Sequence, residues 1–414
     1  MKLRQKLTNF LNKEKNNYKE NKKLYIVDTS IYMILTLFFF SLPSFSYNSL
    51  HLIPVFLMAF LCALIFVRTI IFKKLFIDSI VVSIFGFIFT ILISYIVNKL
   101  TTPMKMNTTL FFLPLMYLVL YHFFTEEKNI RVGLHLFLVG ISLFCFYFFI
   151  AYAKEIIHFD INRLGIKFGN PNTIGNYFAI AFAIGLYFSL FEKKYYFFPF
   201  LLLYLLLGFT TGSKGFILMV FIILGFNIVL FFGKKKWYIS LILILGAILV
   251  FFALLQLPIF SVFKQRIYDF FKYLFSKDSH DDFSTASRFY MVLEGLVLFI
   301  KRPIIGWGIN GFTIRSSFGM YAHNTIIDIL ANFGLISLIF FLYPLVKAFP
   351  KSLNKEKKGD INICILSFYI IIAIGLFTSV EYLSKWYFIL LAIINGIYKS
   401  QEKERDLISL SIQF

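Results

Sequence analysis

Residues 214–255 read KGFILMVFIILGFNIVLFFGKKKWYISLILILGAILVFFALL, two apolar runs separated by a Gly-Lys-Lys-Lys turn. A helix needs about 20 predominantly apolar residues to cross the hydrocarbon core of a bilayer, and each run is close to that length. Lipid offers no hydrogen-bond partners to the backbone, so such a run must be helical. The stretch therefore predicts a helical membrane hairpin whose turn carries three lysines.

The same pattern repeats along the whole chain. Of its 414 residues, 59% are hydrophobic and 20% are aromatic, and the mean hydropathy is +0.80. Soluble globular domains do not have this composition. We predict an all-α, polytopic integral membrane protein with about 12 transmembrane helices. The predicted spans are residues 26–42, 50–67, 75–97, 108–124, 132–153, 172–191, 195–210, 214–232, 237–255, 322–346, 361–380 and 384–398.

The distribution of basic residues orients these spans, because cytoplasmic segments of membrane proteins are enriched in Lys and Arg. With the N-terminus in the cytoplasm, 26 of the 41 Lys and Arg residues fall on the cytoplasmic side. The predicted segments are a basic cytoplasmic N-terminal tail (1–24), transmembrane helices 1–9 (25–255), an extracytoplasmic loop (256–321), transmembrane helices 10–12 (322–398) and a cytoplasmic C-terminal tail (399–414).

The extracytoplasmic loop 256–321 departs from this charge rule. It holds eight Lys and Arg residues, more than half of those on the outer side. The net charge of +20 mainly reflects topology, and it indicates membrane lipid rather than nucleic acid as a partner. Topology does not explain the basic residues of the loop. We therefore expect some of them to hold phosphate at the outer membrane surface.

Part of this loop has helical periodicity. An apolar stripe follows Ser287, a candidate N-cap, and Pro303 ends the pattern. A stretch of about 14 residues is too short to span a bilayer, so we predict an amphipathic helix that lies in the outer interface. The stripe consists of Phe289, Val292, Leu293, Leu296, Phe299 and Ile300.

Few side chains elsewhere offer metal or redox chemistry. Cys62, Cys145 and Cys364 lie within apolar spans without metal-ligand spacing, which is typical of buried packing residues. The His-Asp-Asp sequence at 280–282 could hold a divalent cation against a diphosphate. Its neighbours are typical of a solvated loop, and this second interpretation is preferred. No cofactor is predicted.

Four segments with polar motifs occur in order between residues 160 and 345. They are RLGIKFGNPNTIGNY from Arg163, TTGSKG at 210–215, SRFYMVLEGLVLFIKRPIIGWGINGF from Ser287, and HNTIIDILANFGLIS from His323. All four begin on the predicted outer side of the membrane. In this order they resemble motifs of the O-antigen ligase and polysaccharide polymerase superfamily. The family counterparts are an Arg-Gly-Phe-Asn-Pro-Asn segment, a Ser-Arg-Gly turn, an Arg followed by Pro-x-x-Gly-x-Gly, and a His-Asn block followed by Gly-x-x-Gly.

Two positions depart from the pattern of the family. Lys214 stands in place of the arginine of the Ser-Arg-Gly turn, so the charge remains while the bidentate fork is lost. Ser337 stands in place of the second glycine of the Gly-x-x-Gly block. The missing glycine weakens the resemblance to the ligase branch and favours a polymerase.

Residue chemistry and the resemblance together indicate the site. His323 is the candidate general base, because imidazole titrates near the working pH. Arg288 and Lys214 complete the catalytic set as groups that hold a diphosphate. The structural alternatives are capping for His323, lipid head-group binding for Arg288 and snorkelling for Lys214. The substrate-binding candidates are Arg163, Asn172 and Asn324, of which the two asparagines could also be helix caps.

The resemblance implies a metal-independent glycosyltransferase of the bacterial plasma (inner) membrane. The enzyme would transfer an oligosaccharide linked to undecaprenyl diphosphate onto an acceptor glycan at the extracytoplasmic face. We prefer a repeat-unit polymerase for capsule or exopolysaccharide to an O-antigen-type ligase that acts on a lipid core. A flippase or transporter of lipid-linked oligosaccharide and a structural subunit are further alternatives, although few ionisable residues lie within the spans. A chain-length regulator and a flippase of the same pathway would be additional partners.

Overall fold

The computed structural model describes residues 27–45, 52–71, 77–99, 109–157, 163–233, 236–257, 260–261, 264–265, 267–268, 272, 283–352 and 361–412. Regular structure in these residues is helical. The helices are α1 (Val27–Phe45), α2 (Leu52–Ile71), α3 (Ser79–Lys99), α4 (Thr109–Phe124), α5 (Glu127–Ala151), α6 (Ala153–Ile157), α7 (Pro171–Leu190), α8 (Phe198–Thr210), α9 (Lys214–Phe232), α10 (Trp237–Leu254), α11 (Phe283–Lys301), α12 (Gly311–Arg315), α13 (Thr325–Ser352), α14 (Ile361–Thr378) and α15 (Lys385–Ile412).

Each predicted apolar stretch coincides with one of these helices. Within the described residues, seven helices are long and apolar enough to cross a membrane: α1, α3, α5, α7, α9, α13 and α14. Helices α2, α4, α8 and α10 contain shorter apolar segments. The chain is therefore an all-α integral membrane protein. The number of helices that cross the bilayer stays a prediction.

Helix α7 lies at the centre of the bundle, and nearly all of its residues are buried. Its glycines allow neighbouring helices to approach closely. A Cβ atom at Gly175 would lie 3.1 Å from Phe216 of α9, and one at Gly185 would lie 2.8 Å from Leu201 of α8. Helix α10, by contrast, leaves Leu249 71% exposed, as expected for a lipid-facing helix. Helix α7 is thus enclosed by other helices along most of its length.

One end of the bundle is closed by a buried ion cluster. The Arg68 guanidinium of α2 donates to Asp28 of α1 at 2.7 Å, and to the two carboxylate oxygens of Glu126 at 3.1 and 2.6 Å. Lys128 lies 2.9 Å from Asp28. Buried charges are costly unless they are paired, so these contacts tie α1 and α2 to the turn between α4 and α5. We call this the ion-cluster end.

Helix α5 leads from the ion-cluster end to the opposite end of the bundle, which we call the site end. Tyr152 follows its last turn, and the tyrosine hydroxyl accepts hydrogen bonds from the backbone N–H groups of Gly165 at 2.9 Å and Lys167 at 2.8 Å. Lys167 also pairs with Glu155 at 2.7 Å. These contacts hold the segment that precedes α7 against the end of α5.

Helix α13 is broken at Gly334, whose φ of 80° and ψ of −177° are not helical. Loop 303–308 fills the break with hydrogen bonds from Leu335 N–H to Pro303 O (2.8 Å), from Trp307 N–H to Ala331 O (3.0 Å) and from Gly308 N–H to Asn332 O (2.7 Å). Irregular backbone inside a membrane protein is tolerated where the protein itself supplies such partners. A Cβ atom at Gly334 would lie 2.2 Å from the Ile304 carbonyl oxygen, so the break requires glycine.

Helix α11 is longer than the sequence predicts. It begins at Phe283, so the prediction that Ser287 is its N-cap is wrong, whereas its end at Lys301 agrees with a stop before Pro303. The apolar stripe covered only part of the helix. Helix α11 also packs on α13, and the stripe does not reveal that contact. A Cβ atom at Gly295 would lie 2.2 Å from Ile327 Cγ2. Ile300, in the predicted stripe, is 73% exposed, which suits contact with lipid.

Candidate active site

The segment that precedes α7 folds onto the turn between α8 and α9. Arg163 Nη2 donates to Asn172 Oδ1 at 2.9 Å, and Arg163 Nε donates to the Thr211 carbonyl at 3.3 Å. The N-cap of α7 is Asn170, whose side chain accepts from the Asn172 N–H at 2.9 Å. The structure therefore brings Arg163 and Asn172 together. The capping role considered for Asn172 belongs to Asn170.

Lys214 is the first residue of α9 and lies beside the start of α7. Ser213 caps α9, and its Oγ accepts from the Phe216 N–H at 3.3 Å. A Cβ atom at Gly175 would lie 3.2 Å from Ser213 Cβ, so the two helix starts are in direct contact. Helix N-termini carry partial positive charge, which adds to the side-chain charges here. We call Arg163, Asn172 and Lys214 the α7–α9 group.

His323 precedes α13 and adopts a left-handed conformation with φ of 51°. A non-glycine residue in this region stores about 1–3 kcal/mol of strain, so its surroundings must hold it there. The imidazole lies 4.3 Å from the Tyr321 ring, measured between centroids. Burial, and secondly the positive charge of Arg288, lower the pKa of His323 to about 4. Arg288 thus lies within electrostatic range of His323, and the imidazole is neutral at neutral pH.

A buried carboxylate fixes the position of the His323 segment. Asp328 accepts hydrogen bonds from Ala322 N–H (3.1 Å), Asn332 Nδ2 (2.8 Å) and the Tyr382 hydroxyl (2.8 Å), and the Asn332 Oδ1 accepts from Phe312 N–H (2.7 Å). Asp328 therefore connects α13 to α12, to the backbone ahead of His323 and to the α14–α15 loop. Asp328 was not among the site residues predicted from the sequence. The feature that could have marked Asp328 is that it is an ionisable residue inside an apolar span.

The α14–α15 loop joins the two sets of site residues. At the start of α13, the Thr325 hydroxyl donates to the Ser379 carbonyl at 2.8 Å and accepts from the Glu381 N–H at 2.9 Å. At the other side of the loop, a Cβ atom at Gly215 would lie 3.8 Å from Thr378 Oγ1. The α7–α9 group and the His323 segment therefore flank one short loop. No sequence motif marked this loop.

Asn324 and Glu294 both have structural hydrogen-bond partners. Asn324 Oδ1 accepts from the Ile327 N–H at 3.1 Å, so the capping alternative for Asn324 is confirmed. The Glu294 carboxylate of α11 accepts from the Ser317 hydroxyl at 2.6 Å and from the Ser317 N–H at 2.9 Å. The Glu294 contacts hold the loop between α12 and α13 against α11.

Two basic residues of segment 256–321 stack on one indole. The guanidinium carbons of Arg302 and Arg315 are each 4.1 Å from the centroid of the Trp307 ring. The indole Nε1 donates to the Leu298 carbonyl at 2.8 Å, and Arg302 Nη1 donates to Asn98 Oδ1 at 2.6 Å. Cation–π contacts of this kind stabilise the loop. Arg302 and Arg315 therefore have a structural role in this loop.

No metal-binding cluster of three or more His, Cys, Asp or Glu side chains occurs in the part of the chain that the structure describes. The candidate His-Asp-Asp sequence at 280–282 lies outside the described residues. Cys62, Cys145 and Cys364 are buried and free, as the sequence predicts.

Comparison with known proteins gives one family match. Residues 199–342 match the family model described as O-antigen ligase. The matched segment includes Lys214, Arg288 and His323, and it begins after Arg163 and Asn172. No curated protein matches the chain at a significant level. The match covers the broken helix α13 up to residue 342, the loop that fills its break and the start of α9. Residues 199–342 of this integral membrane protein therefore form a region of the O-antigen ligase family.

Proposed function

We propose that the protein is a glycosyltransferase that transfers an oligosaccharide from undecaprenyl diphosphate to an acceptor glycan. The observation that carries this proposal is the neutral imidazole of His323 within electrostatic range of the guanidinium of Arg288. Both residues lie within the segment that matches the O-antigen ligase family. A neutral base next to a fixed cation suits a reaction in which one substrate loses a proton while a diphosphate leaves the other.

The donor diphosphate is held by cations from two directions. Arg288 lies on the His323 side of the α14–α15 loop, and Lys214 and Arg163 lie on its other side. Phosphate oxygens accept strong, charge-assisted hydrogen bonds from such groups. The adjacent N-termini of α7 and α9 add positive potential at the same place. Asn172 orients the Arg163 guanidinium through the 2.9 Å hydrogen bond to its Nη2.

The transfer step uses His323 as the general base. The acceptor hydroxyl oxygen attacks the anomeric carbon of the donor sugar, and its proton passes to the imidazole. The bond from the anomeric carbon to the diphosphate oxygen breaks, and its electron pair leaves with the diphosphate. The products are the new glycosidic bond, free undecaprenyl diphosphate and an imidazolium ion. The imidazolium then releases its proton to water.

Arg288 also makes the base strength of His323 depend on whether the donor is bound. With a pKa of about 4, the imidazole is a weak base in the empty site. A bound diphosphate offsets the charge of Arg288 and attracts the imidazolium form. Both effects raise the pKa of His323 towards the working pH. The proton is therefore accepted most readily when the leaving group is in position.

Within this reaction class, we assign the protein to repeat-unit polymerases for capsule or exopolysaccharide. The enzyme would work at the extracytoplasmic face of a bacterial plasma membrane. Ser337 supports this choice, since it departs from the glycine of the family block. Its hydroxyl oxygen instead lies 2.8 Å from Thr90 Oγ1 of α3 and 2.9 Å from the Phe333 carbonyl, either of which can accept its proton.

The test is turnover by the purified full-length protein in detergent. The substrate is a repeat unit linked to undecaprenyl diphosphate, supplied with and without a lipid-core glycan acceptor. A polymerase gives a ladder of repeats from the donor alone, and a chelator leaves the ladder unchanged. A single addition that requires the core acceptor would identify a ligase. Absence of any transfer to either acceptor, with intact folded protein, would overturn the proposal.

A further inference from the structure

The tyrosine that lies two residues before the candidate base is on the same side of the chain as the base. Ala322, between Tyr321 and His323, is fully buried in the apolar cluster formed by α11, α12 and α13. The rings of Tyr321 and His323 are in contact, with their centroids 4.3 Å apart. These two side chains therefore point away from the cluster together, and Tyr321 is 41% exposed.

The tyrosine ring leaves part of the imidazole open. The planes of the two rings are inclined by 52°, so the tyrosine lies against one side of the imidazole without covering its whole face. His323 itself is partly exposed. A substrate group that reaches the imidazole from outside the protein therefore lies next to the Tyr321 ring.

Backbone contacts already hold His323 in its left-handed conformation. On one side, Asp328 accepts a hydrogen bond from the Ala322 N–H at 3.1 Å. On the other side, Asn324 caps α13 with a hydrogen bond of 3.1 Å. Support of the backbone at His323 therefore does not require the ring of Tyr321.

Trp307, the aromatic residue of the Gly-Trp-Gly turn, is less suited than Tyr321 to stack on a sugar. The guanidinium carbons of Arg302 and Arg315 lie 4.1 Å from the centroid of the indole. The indole N–H donates to the Leu298 carbonyl at 2.8 Å. The ring of Trp307 is thus engaged by the protein, whereas the ring of Tyr321 is partly exposed beside the candidate base.

We propose that Tyr321 is the surface on which the acceptor sugar stacks, an inference that rests on the proposed function. A general base lies within about 2.6–3.2 Å of the hydroxyl whose proton it takes. The sugar that carries this hydroxyl then lies within a few ångströms of the tyrosine ring. The C–H groups on one face of a pyranose carry partial positive charge, and they pack on the negative face of an aromatic ring. Tyr321 thus aligns the sugar while its hydroxyl meets the imidazole.

The position beside the base assigns Tyr321 to the acceptor rather than to the donor. The acceptor hydroxyl gives its proton to His323, whereas the donor diphosphate is held by Arg288, Lys214 and Arg163. Cations suit the diphosphate, and an uncharged aromatic ring suits the C–H face of a sugar. The preferred acceptor therefore ends in a pyranose whose C–H face is not interrupted by an axial hydroxyl.

The first test measures acceptor binding without the lipid-linked donor. The probe is the repeat-unit oligosaccharide released from its lipid, titrated onto the purified full-length protein and followed by saturation-transfer NMR. Tyr321→Leu removes the ring and is expected to weaken binding about tenfold. Tyr321→Phe keeps the ring and is expected to bind as the wild-type protein does. Equal affinity of Tyr321→Leu and the wild-type protein, or no binding to the wild-type protein, would overturn the proposal.

Tyr196→Leu is the matched control for this titration. Tyr196 is 63% exposed, and its ring contacts that of Phe197 with centroids 4.6 Å apart. It lies at the ion-cluster end, where the neighbouring Lys194 contacts His135 of α5 at 3.2 Å. The control is expected to keep the wild-type affinity. Equal losses in Tyr196→Leu and Tyr321→Leu would contradict a specific role for Tyr321.

The second test separates stacking on the acceptor from support of the base. Transfer is measured with a fixed concentration of lipid-linked donor and a fluorescent, lipid-free oligosaccharide as acceptor. Loss of stacking in Tyr321→Leu is expected to raise the KM for the acceptor about tenfold and to leave kcat within about twofold. A fall in kcat at unchanged KM would assign Tyr321 to support of the imidazole and overturn the proposal. If the wild-type protein transfers nothing, the proposed function fails, and the titration without donor still decides the role of Tyr321.

Discussion

The guanidinium of Arg288 acts on the imidazole of His323 from a different helix. Burial is the larger cause and the charge of Arg288 the second cause of the lowered pKa of His323, at about 4. Packing of α11 on α13, through Gly295 and Ile327, sets the approach of the two side chains. The protonation state of the candidate base His323 therefore depends on the packing of α11 on α13.

Substitution of Arg288 by Ala is expected to change the pH profile of transfer. The acid limb of kcat/KM reports the free enzyme, so it lies near pH 4 in the wild-type protein. Removal of the positive charge moves the limb to higher pH, and burial keeps it below the ordinary value of 6.5. Arg288→Lys retains the charge and the low limb. An acid limb that stays in place in Arg288→Ala contradicts the electrostatic pairing.

Asp328→Asn is expected to impair transfer without removing any candidate catalytic group. The carboxylate accepts from three donors, and an amide replaces one acceptor with a donor, so a buried group loses its partner at a cost of about 1–3 kcal/mol. Transfer and thermal stability are both expected to fall. Tyr382→Phe, which removes one of the three hydrogen bonds, is expected to have a smaller effect on both measurements. Wild-type activity in Asp328→Asn would show that the network does not position His323.

Gly334→Ala is expected to prevent the break in α13. The added Cβ would lie 2.2 Å from the Ile304 carbonyl oxygen, on a residue with φ of 80°. A side chain in this backbone conformation, which is essentially restricted to glycine, alone costs about 1–3 kcal/mol. Size-exclusion chromatography of the variant in detergent is expected to show loss of folded protein. Gly246→Ala in α10 is the control, because a Cβ there meets nothing within 4 Å. Equal yields of the two variants would contradict the requirement for glycine.

Glu381 is expected to make stability depend on pH. Its folded-state pKa is raised to about 7 from 4.5, so its contribution is fully present below pH 4.5 and is lost as the pH rises through 7. The loss is on the order of 3 kcal/mol, at 1.36 kcal/mol per pKa unit. Glu381→Gln is expected to flatten the fall in thermal midpoint over this range. The same slope in both proteins would show that Glu381 does not titrate in this way.

The sequence predicted the positions of the helices because each membrane helix needs a long apolar run, and such runs are visible without tertiary information. It also predicted that Arg288 and His323 would belong to one site. The start of α11 was missed, since Ser287 has the character of a cap but lies inside the helix. Local propensity is a weak guide where a helix packs on a neighbour.

Long-range contacts explain what the sequence could not predict. Gly334 begins the Gly-x-x-Gly-like block, but a glycine in an apolar run does not by itself predict a break, and the partners of the broken backbone come from the distant loop that begins at Pro303. The role of Thr325 depends on Ser379 and Glu381, which lie on the far side of α14 in the chain. Such pairings arise only when the helices have assembled.

Transfer by His323→Ala tests the central claim most directly. His122→Ala is the matched control, because the His122 ring contacts the Leu118 carbonyl at 2.8 Å near the ion-cluster end. Initial rates are measured with the same donor and with equal amounts of folded protein. Loss of the general base is expected to lower the rate by about 10²–10⁴-fold in His323→Ala, while His122→Ala keeps the wild-type rate. Transfer by His323→Ala at the rate of the control would contradict the account.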